Sequence, residues 1–262
     1  MNFKSSFLAG AMVALLGSQP LLANPITVTY NGSAQLGTGS GVGYETGMIY
    51  PGPGGNGNNV SIGGISFNSA SAGSFGLPLG PFDAWCVDIG HWLATPTSTF
   101  TVSPSSTLAS TLAFEGKYAL AIGQARVADL NKLANAYYDT LDTLTESAAF
   151  QLAVWAITYG QKGALGYSIN STDVNPSFHV NSGTVTSAWG VQANSWLSTL
   201  DAAASTSNYN IVYLSDASVS ASATQDMVVF VKTGSSTVPE PGTIALLGIG
   251  LLAVSLIQRR RR

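Results

Sequence analysis

The run AAFQLAVWAI, Ala148 to Ile157, constrains the fold more than any other stretch: nine of its ten residues are apolar and the tenth is Gln151. A helix with one apolar stripe lies on a core, but a helix apolar all round must be enclosed by it. Thr143 with Glu146 three residues later forms a capping box that would open this helix, and Gly160 would close it. Gln151 then needs explaining, because burying a primary amide without partners costs about 1–3 kcal/mol. The sequence therefore predicts a compensating interaction for Gln151, and a backbone group is the commonest kind of partner.

The segments available to enclose that helix are mostly strand-like. ITVTY from Ile26 and VSIGGISF from Val60 show β-branched alternation, with a Gly/Pro/Asn-rich loop between them. FDAWCVDIG alternates as a strand, with Trp85, Val87 and Ile89 on one face and Phe82, Ala84 and Cys86 on the other. TFTVS from Thr99 reads as a further short strand. From Leu108 to Leu141 the apolar spacing changes to three and four, which predicts one or two amphipathic helices, and the run from Thr186 predicts another. NIVYLS and QDMVVFVK return to strand alternation. There is no internal repeat. Strands, then clustered helices, then strands predict an α+β body over residues 24–232: a β-sandwich or barrel-like scaffold with an inserted helical subdomain.

Both ends of the chain read as addresses. Lys4 precedes an apolar run from Phe7 to Gly17 and a short exit, SQPLLA. That run is too short to span a bilayer and fits a signal peptide over residues 1–23, delivered to a secretion translocon and cleaved after Ala23. At the other end, after a linker at 233–238, Pro239, Glu240 and Pro241 precede an apolar run from about Thr243 to Ile257, and Arg259, Arg260, Arg261 and Arg262 follow. This is short for a spanning helix of about 20 residues, and the arginines would stop it on the cytoplasmic side. The Pro-Glu-Pro triplet, short membrane helix and basic end, residues 239–262, resemble the PEP-CTERM sorting signal of Gram-negative bacteria. That resemblance implies an exosortase as processing partner and membrane contact through the tail before processing. It also implies a mature body at the cell surface or in an exopolysaccharide matrix.

Composition narrows the body's function. Only 9% of the residues are charged, against about a quarter in an average globular chain, so Ser, Thr, Asn and Gly supply the surface polarity of a loop-rich extracellular protein. Lys4 and the four terminal arginines are half of the ten basic residues, which leaves the body more acidic than the formal net charge of −3. No basic patch for nucleic acid is visible. The glycine-rich loop lacks both the G-x-G-x-x-G spacing and a following Lys-Ser/Thr, which argues against a nucleotide. Two scattered histidines and one cysteine do not make a metal-ligand spacing. No cofactor is expected.

Cys86 is the only cysteine in the chain, so it cannot form an intramolecular disulfide. Trp85-Cys86-Val87-Asp88 on a strand, followed by a helical Gln151-Leu152-Ala153-Val154-Trp155, resembles the Cys–Gln thioester domains of bacterial surface adhesins. The resemblance implies an internal thioester between Cys86 and Gln151, with Trp85, Asp88, Ala153 and Trp155 as motif residues and Trp155 shielding the bond from water. Such a bond captures a surface amine or hydroxyl once per molecule, so it implies a covalent anchor for adhesion and not an enzyme with turnover. Two other readings stay open. One is a non-covalent exopolysaccharide or biofilm matrix protein with a free thiol at Cys86. The other is a cysteine hydrolase with His91 or His179 as base.

Overall fold

The computed structural model describes residues 25–36, 41–50, 57–71, 73–93, 96–115, 119–171, 178–203, 208–216 and 224–234. The expected signal peptide, most of the linker and the sorting tail lie outside the described residues. Among the described residues, no helix is long and apolar enough to cross a membrane.

The described residues begin with four strands: β1 (Pro25–Ser33), β2 (Glu45–Tyr50), β3 (Asn58–Ile62) and β4 (Ile65–Ser69). A 3₁₀ turn leads into β5 (Gly80–Cys86) and β6 (Thr97–Pro104). Helices α1 (Ser105–Glu115), α2 (Leu120–Tyr137) and α3 (Leu144–Tyr159) come next, followed by the two-residue strand β7 (His179–Val180). Short α4 (Ser182–Thr186) and α5 (Ala188–Thr199) precede β8 (Tyr209–Asp216) and β9 (Met227–Lys232). The α+β expectation holds, with the scaffold a closed barrel of six strands in the order β1-β4-β5-β9-β8-β6. Every barrel pairing is antiparallel, and β6 closes back on β1 through Ile26↔Phe100 and its neighbours. Closure leaves the barrel without a free edge. A second sheet, β3-β2-β7, lies outside it.

Within the barrel, Val28, Phe67, Phe100, Val102, Val212 and Val228 are fully buried. The strand run VSIGGISF is divided between the two sheets, and the break falls at Gly63–Gly64. A side chain at Gly64 would press to 2.7 Å from the Trp85 ring and 2.8 Å from Ala34, so only glycine lets the chain cross so near the barrel wall. Serine at 147 secures the crossing by accepting from Gly64 N at 3.0 Å.

The helix α3 is enclosed, as its composition demands. All twelve residues from Ser147 to Thr158 are buried. It packs against β5 of the barrel, against β2 and β3 of the small sheet, and against α2 and α5. Phe150 meets Trp85 at 4.6 Å between ring centroids, and Tyr138 stands edge-on or tilted to Trp85, Phe150, Tyr209 and Phe230. Both ends of the helix are satisfied. Thr143 and Glu146 make the reciprocal capping box. At the other end the buried Arg126 guanidinium donates to the carbonyls of Ile157, Thr158 and Gly160, which are orphan acceptors at a helix C-terminus.

Candidate functional site

The cysteine sits at the last position of β5, where the barrel wall ends. It pairs with Met227 on one side. On the other, the register Ile65↔Ala84 would set residue 63 opposite Cys86, but the chain has already turned away at Gly63. The side-chain amide of Gln151 occupies that place. Gln151 Oε1 accepts from Cys86 N at 2.9 Å, and Gln151 Nε2 donates to Cys86 O at 2.9 Å. One primary amide thus does for the strand end what a neighbouring peptide does elsewhere in a ladder. The compensating interaction expected for Gln151 is this pair of backbone bonds, and their owner is the lone cysteine.

The strand reading of FDAWCVDIG holds only as far as Cys86. Beyond it, Val87 N donates to Asp226 O at 3.0 Å. Tyr159, the last residue of α3, donates to Val87 O at 2.8 Å and accepts from Ile89 N at 3.3 Å. These bonds bend the chain into a loop over the helix. Asp88 organises that loop: its Oδ1 accepts from Gly90 N at 2.8 Å, and its Oδ2 lies 2.5 Å from His91 Nδ1. Tyr159 and Asp226 carry no local sequence signal for this role, since one looks like a helix end and the other like the start of a strand.

Cys86 Sγ donates to Asp88 O at 2.9 Å. Burial pushes the thiol pKa up to about 12; a backbone hydrogen bond at Asp88 and the Trp155 indole pull it down, and the carboxylates of Asp88 and Asp226 push it further up. The Trp155 N–H is close enough to favour a sulfur anion yet makes no hydrogen bond of ordinary geometry. At neutral pH the group is therefore a thiol whose proton is already directed at an acceptor.

Cys86, Gln151 and Trp155 line one cavity of about 260 Å³, together with Tyr30, Tyr44, His91 and Trp92. Tyr30 and Tyr44 join hydroxyls at 3.2 Å, and burial holds the Tyr44 phenol well above its usual range. Among the motif residues, Trp155 lines the cavity and Asp88 braces the thiol. Trp85 and Ala153 are fully buried in the core and do not line it. His179 lies on β7, stacked on Tyr50 at 4.4 Å, and is not part of the cavity lining. Among the described residues, no group of three His, Cys, Asp or Glu side chains is placed to hold a metal ion.

Residues 237–262 match the PEP-CTERM protein-sorting motif. The chain carries a PEP-CTERM tail. That motif assigns an exosortase as processing partner and marks a PEP-CTERM protein for export to the cell surface or extracellular space. No curated protein sequence matches the chain. Among solved structures, one match is the N-terminal thioester domain of a protein F2-like fibronectin-binding protein from Streptococcus pneumoniae. It has 10% identity and a TM-score of 0.42, over 78% of this chain and 98% of that one.

Proposed function

We propose that this PEP-CTERM protein forms an internal thioester between Cys86 and Gln151 and uses it to bond once to a nucleophile on a surface. One observation carries the reading: the Gln151 amide is held by both backbone groups of the residue whose sulfur would attack it. Attack of Sγ on Gln151 Cδ puts negative charge on Oε1, and Cys86 N–H already donates to that oxygen at 2.9 Å. A preoriented donor at the atom where charge develops is the usual means of stabilising an acyl-transfer intermediate. Collapse breaks the Cδ–Nε2 bond; the nitrogen takes the thiol proton and leaves as ammonia. An incoming alcohol or amine then displaces sulfur, which regains a proton, and the protein remains joined through the Gln151 carbonyl. Trp155, 3% exposed, walls the bond from water.

Intact mass of the freshly purified body tests this. The expected outcome is a deficit of one ammonia that disappears on methylamine treatment, and no deficit in Cys86→Ala or Gln151→Ala. The competing reading, a non-covalent matrix protein, draws on the thiol pKa pushed up to about 12, which opposes formation of the sulfur nucleophile. An undiminished mass, with a thiol that alkylates fully once the protein is unfolded, would decide for that reading.

A further inference from the structure

A buried hydrogen-bond donor with nothing to bond stands in the wall of the cavity. Trp155 lines it beside Cys86 and Gln151, yet its Nε1 is enclosed and finds no hydrogen-bond partner among the protein's own groups. An N–H buried in that way has lost its hydration without a return, and such exceptions call for a reason. We infer that Trp155 N–H is a donor to the Cys86 sulfur, engaged while the Cys86–Gln151 bond forms or breaks and the sulfur is negative. This rests on the thioester reading above.

The helix supplies the placement. Trp155 follows Gln151 by four residues on α3, so the two side chains share a face. Helical side chains lean toward the N-terminus, which lays the indole over the turn that carries Gln151. That turn is fixed against the cysteine, since Gln151 Oε1 and Nε2 bond Cys86 N and O at 2.9 Å each. The indole also draws the Cys86 thiol pKa down, a short-range influence that sets its N–H near Sγ.

Charge supplies the reason. The resting thiol turns its proton to Asp88 O at 2.9 Å, and a thiol sulfur is a poor acceptor, which leaves the indole idle. Burial and the carboxylates of Asp88 and Asp226 all oppose a sulfur anion. Sulfur must still carry negative charge as it attacks Gln151 Cδ, and again when a nucleophile expels it. Cys86 N–H serves the oxygen of the intermediate, and Trp155 N–H serves the sulfur. A donor idle in the ground state and engaged in the transition state lowers the barrier by all that its bond is worth.

When an amine opens the bond, its nitrogen joins Gln151 Cδ and the carbon–sulfur bond breaks with the electron pair on sulfur. Trp155 N–H holds that anion until a proton from the new ammonium nitrogen reaches it. The products are a substituted amide and a free thiol.

The test replaces Trp155 site-specifically with benzothienylalanine, in which a sulfur stands for the indole N–H and the shape is kept. Protein shown by mass to carry the ammonia deficit is offered methylamine at fixed pH, and its opening is followed by intact mass. The analogue should open about 10-fold more slowly than wild type, less than the roughly 10²–10³-fold of a lost oxyanion donor because sulfur accepts more weakly. The deficit should also return more slowly when the analogue is refolded from urea. Trp155→Phe lacks the N–H too and should likewise slow the opening. A ring that served only as a wall predicts the opposite: no change in the analogue, and faster entry of methylamine once the ring is trimmed to Phe. Each variant's own deficit shows that it folds and closes the bond. A variant that folds by near-ultraviolet circular dichroism yet never shows the deficit has lost closure, the same result carried further. Unchanged or faster opening in the analogue would overturn the donor inference alone. Absence of the deficit in wild type would overturn it together with the thioester.

Discussion

Gln151 and Cys86 contribute unequally to the fold even though both would be needed for one bond. Removing the Gln151 amide leaves the Cys86 N–H and C=O without partners at a buried strand end, and each orphaned group costs about 1–3 kcal/mol. Removing the Cys86 sulfur leaves both backbone bonds in place but deletes one buried atom and its hydrogen bond to Asp88 O, a loss of about 1–2 kcal/mol. Gln151→Ala should therefore be less stable than Cys86→Ala by about 1–4 kcal/mol in urea unfolding. Neither variant can close a thioester, so the comparison reads what each side chain contributes to the fold apart from that bond. The amide was conspicuous in the sequence because it stood alone in an apolar run. Its partner was named by the resemblance to thioester domains and not by local chemistry: 65 positions separate the two, and they meet where the β4 pairing ends two residues short of the end of β5. Asp88 and His91 were visible as neighbours of Cys86, but their pairing depends on a loop shaped by Tyr159 and Asp226 from distant elements.

At the scale of elements, α3 depends on caps of different strength. The Thr143–Glu146 box is exposed, and Thr143→Ala should cost about 1 kcal/mol. Arg126 is 4% exposed and spans three carbonyls. Charged hydrogen bonds are worth about 1.5–3 kcal/mol, so Arg126→Met should cost about 2–4 kcal/mol in the same measurement. The capping box was legible because its residues lie three apart in sequence. The arginine cap was not, because it reaches across from another helix. Strand identity was legible from alternation, while barrel closure was not: nothing in the β1 or β6 segments specifies that they pair with each other. The β8–β9 connection holds a pH-dependent carboxylate. Burial raises the Asp226 pKa, although bonds from Tyr213 OH and Asp216 N oppose that shift. A carboxyl that binds its proton more tightly folded than unfolded favours the fold as pH falls and opposes it as pH rises through the folded pKa. Asp226→Asn, which keeps a group able to bond both neighbours, should stabilise the protein more at pH 7 than near pH 4. Paired unfolding curves at the two values would show the difference.

The whole molecule joins a destination to a body. The PEP-CTERM tail at 237–262 assigns sorting by an exosortase, and the body presents a cavity lined by a cysteine and a glutamine. Replacing Pro239, Glu240 and Pro241 together with alanine should leave the folding of residues 25–234 unchanged. It should also make uncut precursor accumulate in the membrane fraction at the expense of surface or released protein, as an immunoblot of the fractions would show. The body's geometry adds a restriction of its own. The nitrogen of Gln151 that holds the Cys86 carbonyl is the same atom that would depart as ammonia. A thioester later lost to water would return a carboxylate at that position, with a negative oxygen facing the carbonyl. Spent copies would then differ from fresh ones in net charge and in the firmness of the strand end. Their share of a sample, resolved by ion exchange, would record how long it had waited for a target.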